Sequence, residues 1–184
     1  MESSVERVVA EELHDAGAEV IRLYVAACVE RMAPLFVGLR AGVHEREADL
    51  DFYVASVRDL WYADRPLVDV VERVGLLERF PELQPHEDGI TGVVDTYAFF
   101  AVLCLRYALS AHGSGSAADA VSCGHVALTA MGMLDQNIAG AGFLAGERRL
   151  QSASVNGDAS GLWDASVASG RERFRAVLGR LSRP

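Results

Sequence analysis

An oppositely charged pair stands in the apolar stretch CVERMAP, residues 28–34. Glu30 and Arg31 could bind a polar ligand, or they could pair with groups on a neighbouring helix. Pro34 follows closely and fits the first turn of a new helix, so the preceding helix is predicted to end near Met32. Two interpretations stay open: a functional site, and the polar edge of a helix that clamps its neighbour.

A second polar group is predicted on the helix at about 117–137. Ser122, His125, Thr129 and Gln136 project to one side of this otherwise apolar element. Histidine titrates near neutrality, so His125 could act as a base or a ligand if a carboxylate such as Asp95 met it. The alternative is a satisfied hydrogen-bond network between helices. The candidate pocket therefore consists of Glu30, Arg31, Asp95 and His125.

Other motifs in the chain lack the context that their chemistry needs. GAGFLA at 140–145 matches the glycine pattern of dinucleotide sites, but helical sequence precedes it where a strand is required. Glu11 and His14 form one E-x-x-H, whereas a di-iron bundle uses two such motifs. No C-x-x-C spacing occurs. We therefore predict no cofactor and no metal, and the lack of a complete catalytic constellation favours a non-enzymatic role.

The elements that must position these residues are predicted to be helices. Apolar side chains recur with the helical period from end to end, and strand alternation is nearly absent. The fold class is therefore all-α: residues 1–184 as a single-domain bundle of about seven helices with no sheet. A glycine-rich, polar segment at about 140–160 is predicted to be a loop-rich excursion. Helices are predicted at about 5–14, 18–32, 48–62, 66–80, 92–110, 117–137 and 160–181.

Composition limits the possible partners. The 184 residues include 17 basic and 26 acidic side chains, for a net charge of −9, which disfavours nucleic-acid binding. The longest apolar run, 97–105, is too short to span a bilayer, so no membrane is predicted. Three widely spaced cysteines suggest buried thiols in a reducing cytoplasm. A hydrophobic fraction of 51% suits a generous core and a surface buried in a homodimer.

Arginines are concentrated at the C-terminal end of the chain. A basic amphipathic helix can lie on a membrane or bind nucleic acid. Here the acidic remainder of the chain offers internal partners, so a solvated, self-complementing face is expected. The arginines concerned are Arg171, Arg173, Arg175, Arg180 and Arg183.

CVERMAP also resembles the C-E-R-M-x-P stretch of the YjaG-like family of bacterial proteins, with Cys28 one residue before the family's cysteine position. The sequences DLW at 59–61 and MLD at 133–135 are similar to family segments as well. The apolar helix after Gly92 and the terminal helix from Trp163 follow in the same order. The likeness covers roughly residues 18–182. It implies a single helical bundle for which no activity is established, and it assigns no catalytic role to Glu30 or Arg31.

These observations favour a cytoplasmic, acidic helical protein that is non-enzymatic and binds another protein or a second copy of itself. The alternative is a small-molecule-binding or enzymatic bundle that uses the four-residue candidate pocket.

Overall fold

The computed structural model describes residues 5–85, 89–90, 92–138, 140–156 and 159–182. Within these ranges the chain forms eight α-helices, two short 3-10 helices at His44–Arg46 and Pro81–Leu83, and no strand. The all-α prediction is confirmed. The α-helices are α1 (Arg7–Asp15), α2 (Ala18–Arg40), α3 (Glu47–Leu60), α4 (Val70–Leu77), α5 (Val93–Ser114), α6 (Ala117–Asn137), α7 (Phe143–Asn156) and α8 (Ala159–Leu181).

Helix α2 lies at the centre of the bundle. It packs against α3, α5, α6, α7 and α8, and α5 packs against α6. Tyr24, Leu35 and Phe36 on α2 are fully buried, as are Leu105 on α5 and Met131 on α6. The central position of α2 accounts for its eleven buried residues, which include the charged Arg31.

Pro34 lies inside α2, which continues to Arg40. The prediction that this helix ends near Met32 was wrong. An interior proline has no N–H to donate to the carbonyl of Glu30 four residues earlier, which weakens an isolated helix. Here α8 packs over that point: a Cβ atom at Gly170 would lie 3.1 Å from the Glu30 carbonyl oxygen and 3.1 Å from Pro34 Cγ. The absence of a side chain at Gly170 lets the two helices meet at backbone distance.

Helix α7 occupies Phe143–Asn156, in the segment predicted to be loop-rich at about 140–160. That prediction was wrong for these residues. The physical reason is that three of the buried positions of α7 are polar, namely Glu147, Gln151 and Ser154. They recur at helical spacing, but hydropathy does not detect a periodic face made of polar groups.

The preceding helix supplies a cap for the start of α7. The Asp135 carboxylate on α6 accepts hydrogen bonds from the backbone N–H of Phe143 at 2.7 Å and of Leu144 at 2.9 Å. These are amides of the first helical turn, which have no partner within the helix. Asp135 thus fixes the direction in which α7 leaves α6.

His112 joins α5 to the segment between α3 and α4. Its side chain is fully buried. Nδ1 accepts a hydrogen bond from Leu67 N at 3.2 Å, so Nε2 carries the proton and donates it to Leu60 O at 3.1 Å. Helix α4 begins at Val70 rather than at Pro66 as predicted, because Asp69 has a left-handed backbone conformation (φ 59°, ψ 27°) that a right-handed helix cannot include.

Acid should weaken this connection. Burial, together with the nearby positive charge of Arg22, lowers the pKa of His112 to about 4. An unfolded histidine titrates near 6.5, so the stabilisation is complete above that pH and is lost as the pH falls toward 4. We expect the wild-type protein to lose about 2 kcal/mol between pH 7.5 and pH 5 from this group. Urea titrations at the two pH values measure the loss.

A His112→Gln variant provides the control for the pH experiment. Glutamine can donate to Leu60 O but does not titrate. The pH-dependent difference in unfolding free energy should therefore shrink by about 2 kcal/mol in the variant. An unchanged difference would show that another group is responsible.

Two core helices are also long and apolar enough to cross a membrane. These are α5 and α6. About half of each apolar window is buried inside the bundle, 44% for α5 and 50% for α6. The core helix of a bundle meets the same length and composition criteria, so the expectation of no membrane partner stays a prediction.

Candidate functional site

The centre of the bundle contains a buried ionic group, which we call the arginine–glutamate cluster: Arg31, Glu147, Arg173, Gln151 and Tyr24. Arg31 comes from α2, Glu147 from α7 and Arg173 from α8, and all three are at most 1% exposed. Arg31 donates two hydrogen bonds to Glu147, from Nε at 2.9 Å and from Nη2 at 2.8 Å. Arg173 Nη2 donates to the same carboxylate. The cluster therefore joins three helices through one glutamate.

Polar neighbours satisfy much of the remaining hydrogen-bonding capacity. Gln151 Nε2 donates to Glu147 at 2.8 Å and to the Gly124 carbonyl at 2.9 Å. The Tyr24 hydroxyl donates to Gln151 Oε1 at 3.0 Å. Gly124 lies on α6, so these contacts bring a fourth helix into the network.

Arg31 makes two further, longer contacts, whereas Arg173 makes one. Its Nη1 lies 3.3 Å from Ser166 Oγ, and its Nη2 lies 3.3 Å from the Cys28 thiol. Arg173 Nη1 reaches the sulfur of Met32 at 3.7 Å. Sulfur is a weak acceptor, so Arg173 is paired less completely than Arg31.

Attraction between Glu147 and the two arginines keeps the buried groups of the cluster ionised. Burial raises the pKa of Glu147, but the two arginines outweigh burial and lower it to about 2. Burial also opposes the charge on Arg31, and the bidentate pair with Glu147 reverses this, so its pKa is raised. The pKa of Arg173 is lowered by burial and by Arg31, against the pull of Glu147. Burial raises the pKa of the neighbouring Cys28 thiol, but its hydrogen bond with Cys123 and the charge of Arg31 outweigh burial and lower the pKa. The formal charges of the two arginines and Glu147 alone sum to +1.

Glu30 lies away from this cluster and accepts a hydrogen bond from Trp61 Nε1 at 3.0 Å. It lines a largely apolar cavity of about 520 Å³ between α2, α3 and α8, which we call the α3–α8 groove. The adjacent residues Glu30 and Arg31 thus face different sites. The other residues lining this groove are Ala33, Val37, Tyr53, Val54, Val57, Arg58, Trp61, Tyr62 and Trp163.

Asp95 lies at the first turn of α5 and is exposed. It accepts a hydrogen bond from Arg40 Nη2 at 2.8 Å. Arg40 also donates to the buried Glu82 through Nε at 2.8 Å, and Arg46 donates to Glu82 as well. Burial raises the pKa of Glu82, but the hydrogen bonds from Arg46 and Arg40 outweigh it and lower the pKa. Asp95 is thus part of an ion-pair network at the C-terminal end of α2.

His125 is exposed on α6. It lines a shallow cavity of about 480 Å³ with Phe100, Tyr107 and Val126. The thiols of Cys104 on α5 and Cys123 on α6 lie 3.4 Å apart, so His125 stands near position 104 of α5. Nine residues, or about 14 Å of helix, separate that position from Asp95.

The structure therefore does not bring the four predicted pocket residues together. Each has its own partners: Trp61 for Glu30, Glu147 for Arg31, Arg40 for Asp95, and an apolar groove for His125. These contacts give no support to the prediction of one pocket built from all four.

Metal-ligating side chains do not cluster in the part of the chain that the structure describes: no group of three histidine, cysteine, aspartate or glutamate residues could hold a metal ion there. Cys28, Cys104 and Cys123 are free and buried. The Cys28 thiol lies beside the cluster, 3.3 Å from Arg31 Nη2, and the thiols of Cys104 and Cys123 lie 3.4 Å apart in the core between α5 and α6.

Sequence reasoning identified only Arg31 among the five members of the arginine–glutamate cluster and missed both of the charged residues that contact it or its partner. Glu147 fell in the segment predicted to be loop-rich, and Arg173 fell in the arginine series expected to be a solvated face. Arg173 is 1% exposed, so that expectation was wrong for it, while Arg171 and Arg175 are exposed as expected. Arg183 lies outside the described residues. The spacing of Glu147, Gln151 and Ser154 was the available signal, because it is helical and entirely polar.

Comparison with protein-family models gave no match, and no curated protein matched the chain. Among solved structures, the crystal structure of a DUF416 family protein from Shewanella baltica OS155 is similar, with a TM-score of 0.62 and 15% identity. The alignment covers 90% of this chain and 92% of that chain. Likeness at this identity establishes the fold alone. The YjaG-like family is the DUF416 family, so the resemblance noted in the sequence is confirmed at the level of fold: this chain has the helical fold of an uncharacterised DUF416 family protein.

Proposed function

We propose that this protein is a non-enzymatic, self-associating helical module that dimerises through the α3–α8 groove. The observation that carries the proposal is the set of side chains at the rim of the groove. Val54 is 51% exposed, Tyr62 is 52% exposed and Trp163 is 48% exposed. Exposed large apolar groups around an apolar groove are typical of interaction sites.

The residue types at the rim are those that dominate binding energy at protein interfaces. Tryptophan, tyrosine and arginine are enriched among interface hot spots. Trp163, Tyr62 and Arg58 are all present here, with Trp61 partly exposed between them. The groove therefore offers both aromatic anchors and an apolar floor to receive them.

The charge pattern on α3 favours a second copy of this chain as the occupant. Asp51, Val54, Arg58 and Tyr62 are exposed and lie three or four residues apart, on one face of the helix and its end. The midpoint between positions 51 and 58 falls between Val54 and Ala55. If two α3 helices pack antiparallel about this point, Asp51 meets the partner's Arg58, and the same contact forms a second time. A two-fold interface requires this self-complementarity.

A Val54→Asp variant should convert the dimer to a monomer. It places two like charges next to each other at the two-fold axis, one from each copy, and removes the apolar contact that Val54 makes there. We expect wild type at twice the monomer mass and Val54→Asp at the monomer mass in size-exclusion chromatography with light scattering. Val71→Asp is the matched control, because Val71 is 89% exposed on α4, outside the groove.

Charge reversal on α3 tests the symmetry of the proposed dimer. Asp51→Arg and Arg58→Asp should each weaken association, by about tenfold, because like charges then face each other. The double variant restores opposite charges and should recover most of the affinity. A wild-type protein that stays monomeric at high concentration, or a double variant no better than the singles, would overturn the proposal.

The cytoplasmic location also stays a prediction. The three buried free thiols support it, because free cysteines persist in a reducing compartment. The expected lack of a nucleic-acid partner is supported by the net charge of −9.

A further inference from the structure

A second groove runs between α7 and α8, on the side of α8 away from the proposed dimer face. Glu172 lines it and follows Trp163 by nine residues, which is half a turn around the helix axis. The cavity measures about 560 Å³. Small side chains line both walls, including Gly146 and Ala153 on α7 and Ala165 and Ala168 on α8. We call it the α7–α8 groove.

Arg173 lies at the bottom of this groove. It lines the cavity although only 2% of its side chain is exposed. It is the less completely paired arginine of the cluster, with Glu147 on one side and the Met32 sulfur on the other. Since the formal charges of the arginine–glutamate cluster sum to +1, an anion entering the groove would be attracted to Arg173 at low dielectric.

The rim of the groove adds a second guanidinium. Arg149 is exposed on α7 and lines the cavity opposite α8. Ser169 on α8 contributes a hydroxyl, and Glu172 contributes a carboxylate that opposes an anion. Two arginines at different depths can bind one oxyanion, because each guanidinium matches the geometry of carboxylate and phosphate oxygens.

We propose that the α7–α8 groove binds a small anionic molecule, whose carboxylate or phosphate group is held by Arg173 at the bottom and Arg149 at the rim. The site does not depend on dimerisation, because the two grooves lie on opposite sides of α8. It also differs from the four-residue pocket predicted from the sequence, since none of those four residues lines it.

Calorimetric titration of the full chain with inorganic phosphate, and separately with succinate, tests this proposal. Sodium chloride at matched ionic strength serves as the reference. We expect saturable binding of at least one probe with a stoichiometry of one per chain. The probe that binds more tightly identifies the phosphate or carboxylate class. If neither probe binds beyond the sodium chloride reference, the proposal is wrong.

Variants on the surface of the groove distinguish a built site from general attraction. Arg149→Gln should weaken binding by about 3- to 10-fold, and Glu172→Gln should tighten it by a similar factor. Ala168→Leu fills the groove and should abolish binding. Arg175→Gln is the control, because Arg175 is exposed on α8 and does not line the groove. Equal weakening by Arg149→Gln and Arg175→Gln would overturn the proposal. Light scattering of Arg149→Gln separates this test from dimerisation, which should be unchanged.

Discussion

A Glu147→Gln variant is expected to lose about 4 kcal/mol of folding stability, because two buried guanidinium groups lose the carboxylate between them. For a chain of 184 residues this corresponds to a fall in Tm of about 10–15 °C. Glutamine keeps the size of the side chain, so the effect reports charge and hydrogen bonding rather than a cavity. Urea unfolding followed by circular dichroism at neutral pH measures it. Glu72→Gln, at an exposed position on α4, is the control and should change little.

The net charge of the cluster predicts an asymmetry between its members. Arg173→Met removes the surplus positive charge and leaves the bidentate Arg31–Glu147 pair intact, with its oxygens 2.9 and 2.8 Å from the guanidinium. Removing one partner of a buried ion pair is costly when the other partner is left unpaired, and here Glu147 stays paired with Arg31. We therefore expect Arg173→Met to cost about 1 kcal/mol, well below Glu147→Gln. Equal losses from the two variants would contradict the charge count of the cluster.

Gly124→Ala is the second substitution with a large expected effect. A Cβ atom at this position would lie 2.1 Å from the Tyr24 hydroxyl oxygen and 3.1 Å from Gln151 Oε1. Tyr24 is fully buried and cannot move aside without displacing the core. The clash outweighs the gain of about 1 kcal/mol that alanine brings to a helix interior. A net loss of about 2–3 kcal/mol is expected from urea unfolding.

Removing the tyrosine hydroxyl should partly rescue this variant. In Gly124→Ala/Tyr24→Phe the atom nearest to the new methyl group is gone, so the double variant should be more stable than the two single losses predict. Gly179→Ala is the matched control. Gly179 also lies in a helix, but nothing is within 4 Å of a Cβ there, so that variant should be stabilised. Additive losses in the double variant would show that the clash lies elsewhere.

The fold class and most helix positions could be predicted, because the core of this protein is built largely from apolar faces. Helix α6 was predicted at 117–137 and is observed at Ala117–Asn137. The end of α2 could not be predicted, because local rules treat Pro34 as a boundary. Only the packing of α8 against α2 at Gly170 shows why the helix continues.

The site could be predicted only in part. Arg31 was identified because a charge in an apolar stretch is visible in the sequence. Its partner Glu147 was not, since its helix has a polar buried face whose stability depends on ion pairs with distant helices. The polar residues of that face recur at helical spacing, but hydropathy does not detect such a pattern and does not show which distant residue pairs with it. Arg173 was missed for a related reason. Its near neighbours in sequence are also arginines, and only the side of α8 on which its side chain lies distinguishes it from them.

The pairing between α2 and α7 has a consequence for biosynthesis. Arg31 is 116 residues away in sequence from the carboxylate that neutralises it. The ribosome must therefore synthesise most of the chain before Arg31 and Glu147 can pair and the core can pack. Contacts of such high sequence separation also slow folding. A nascent chain that stops before α7 would hold an unpaired guanidinium among apolar groups. Fragments of that kind should become substrates for chaperones and proteases.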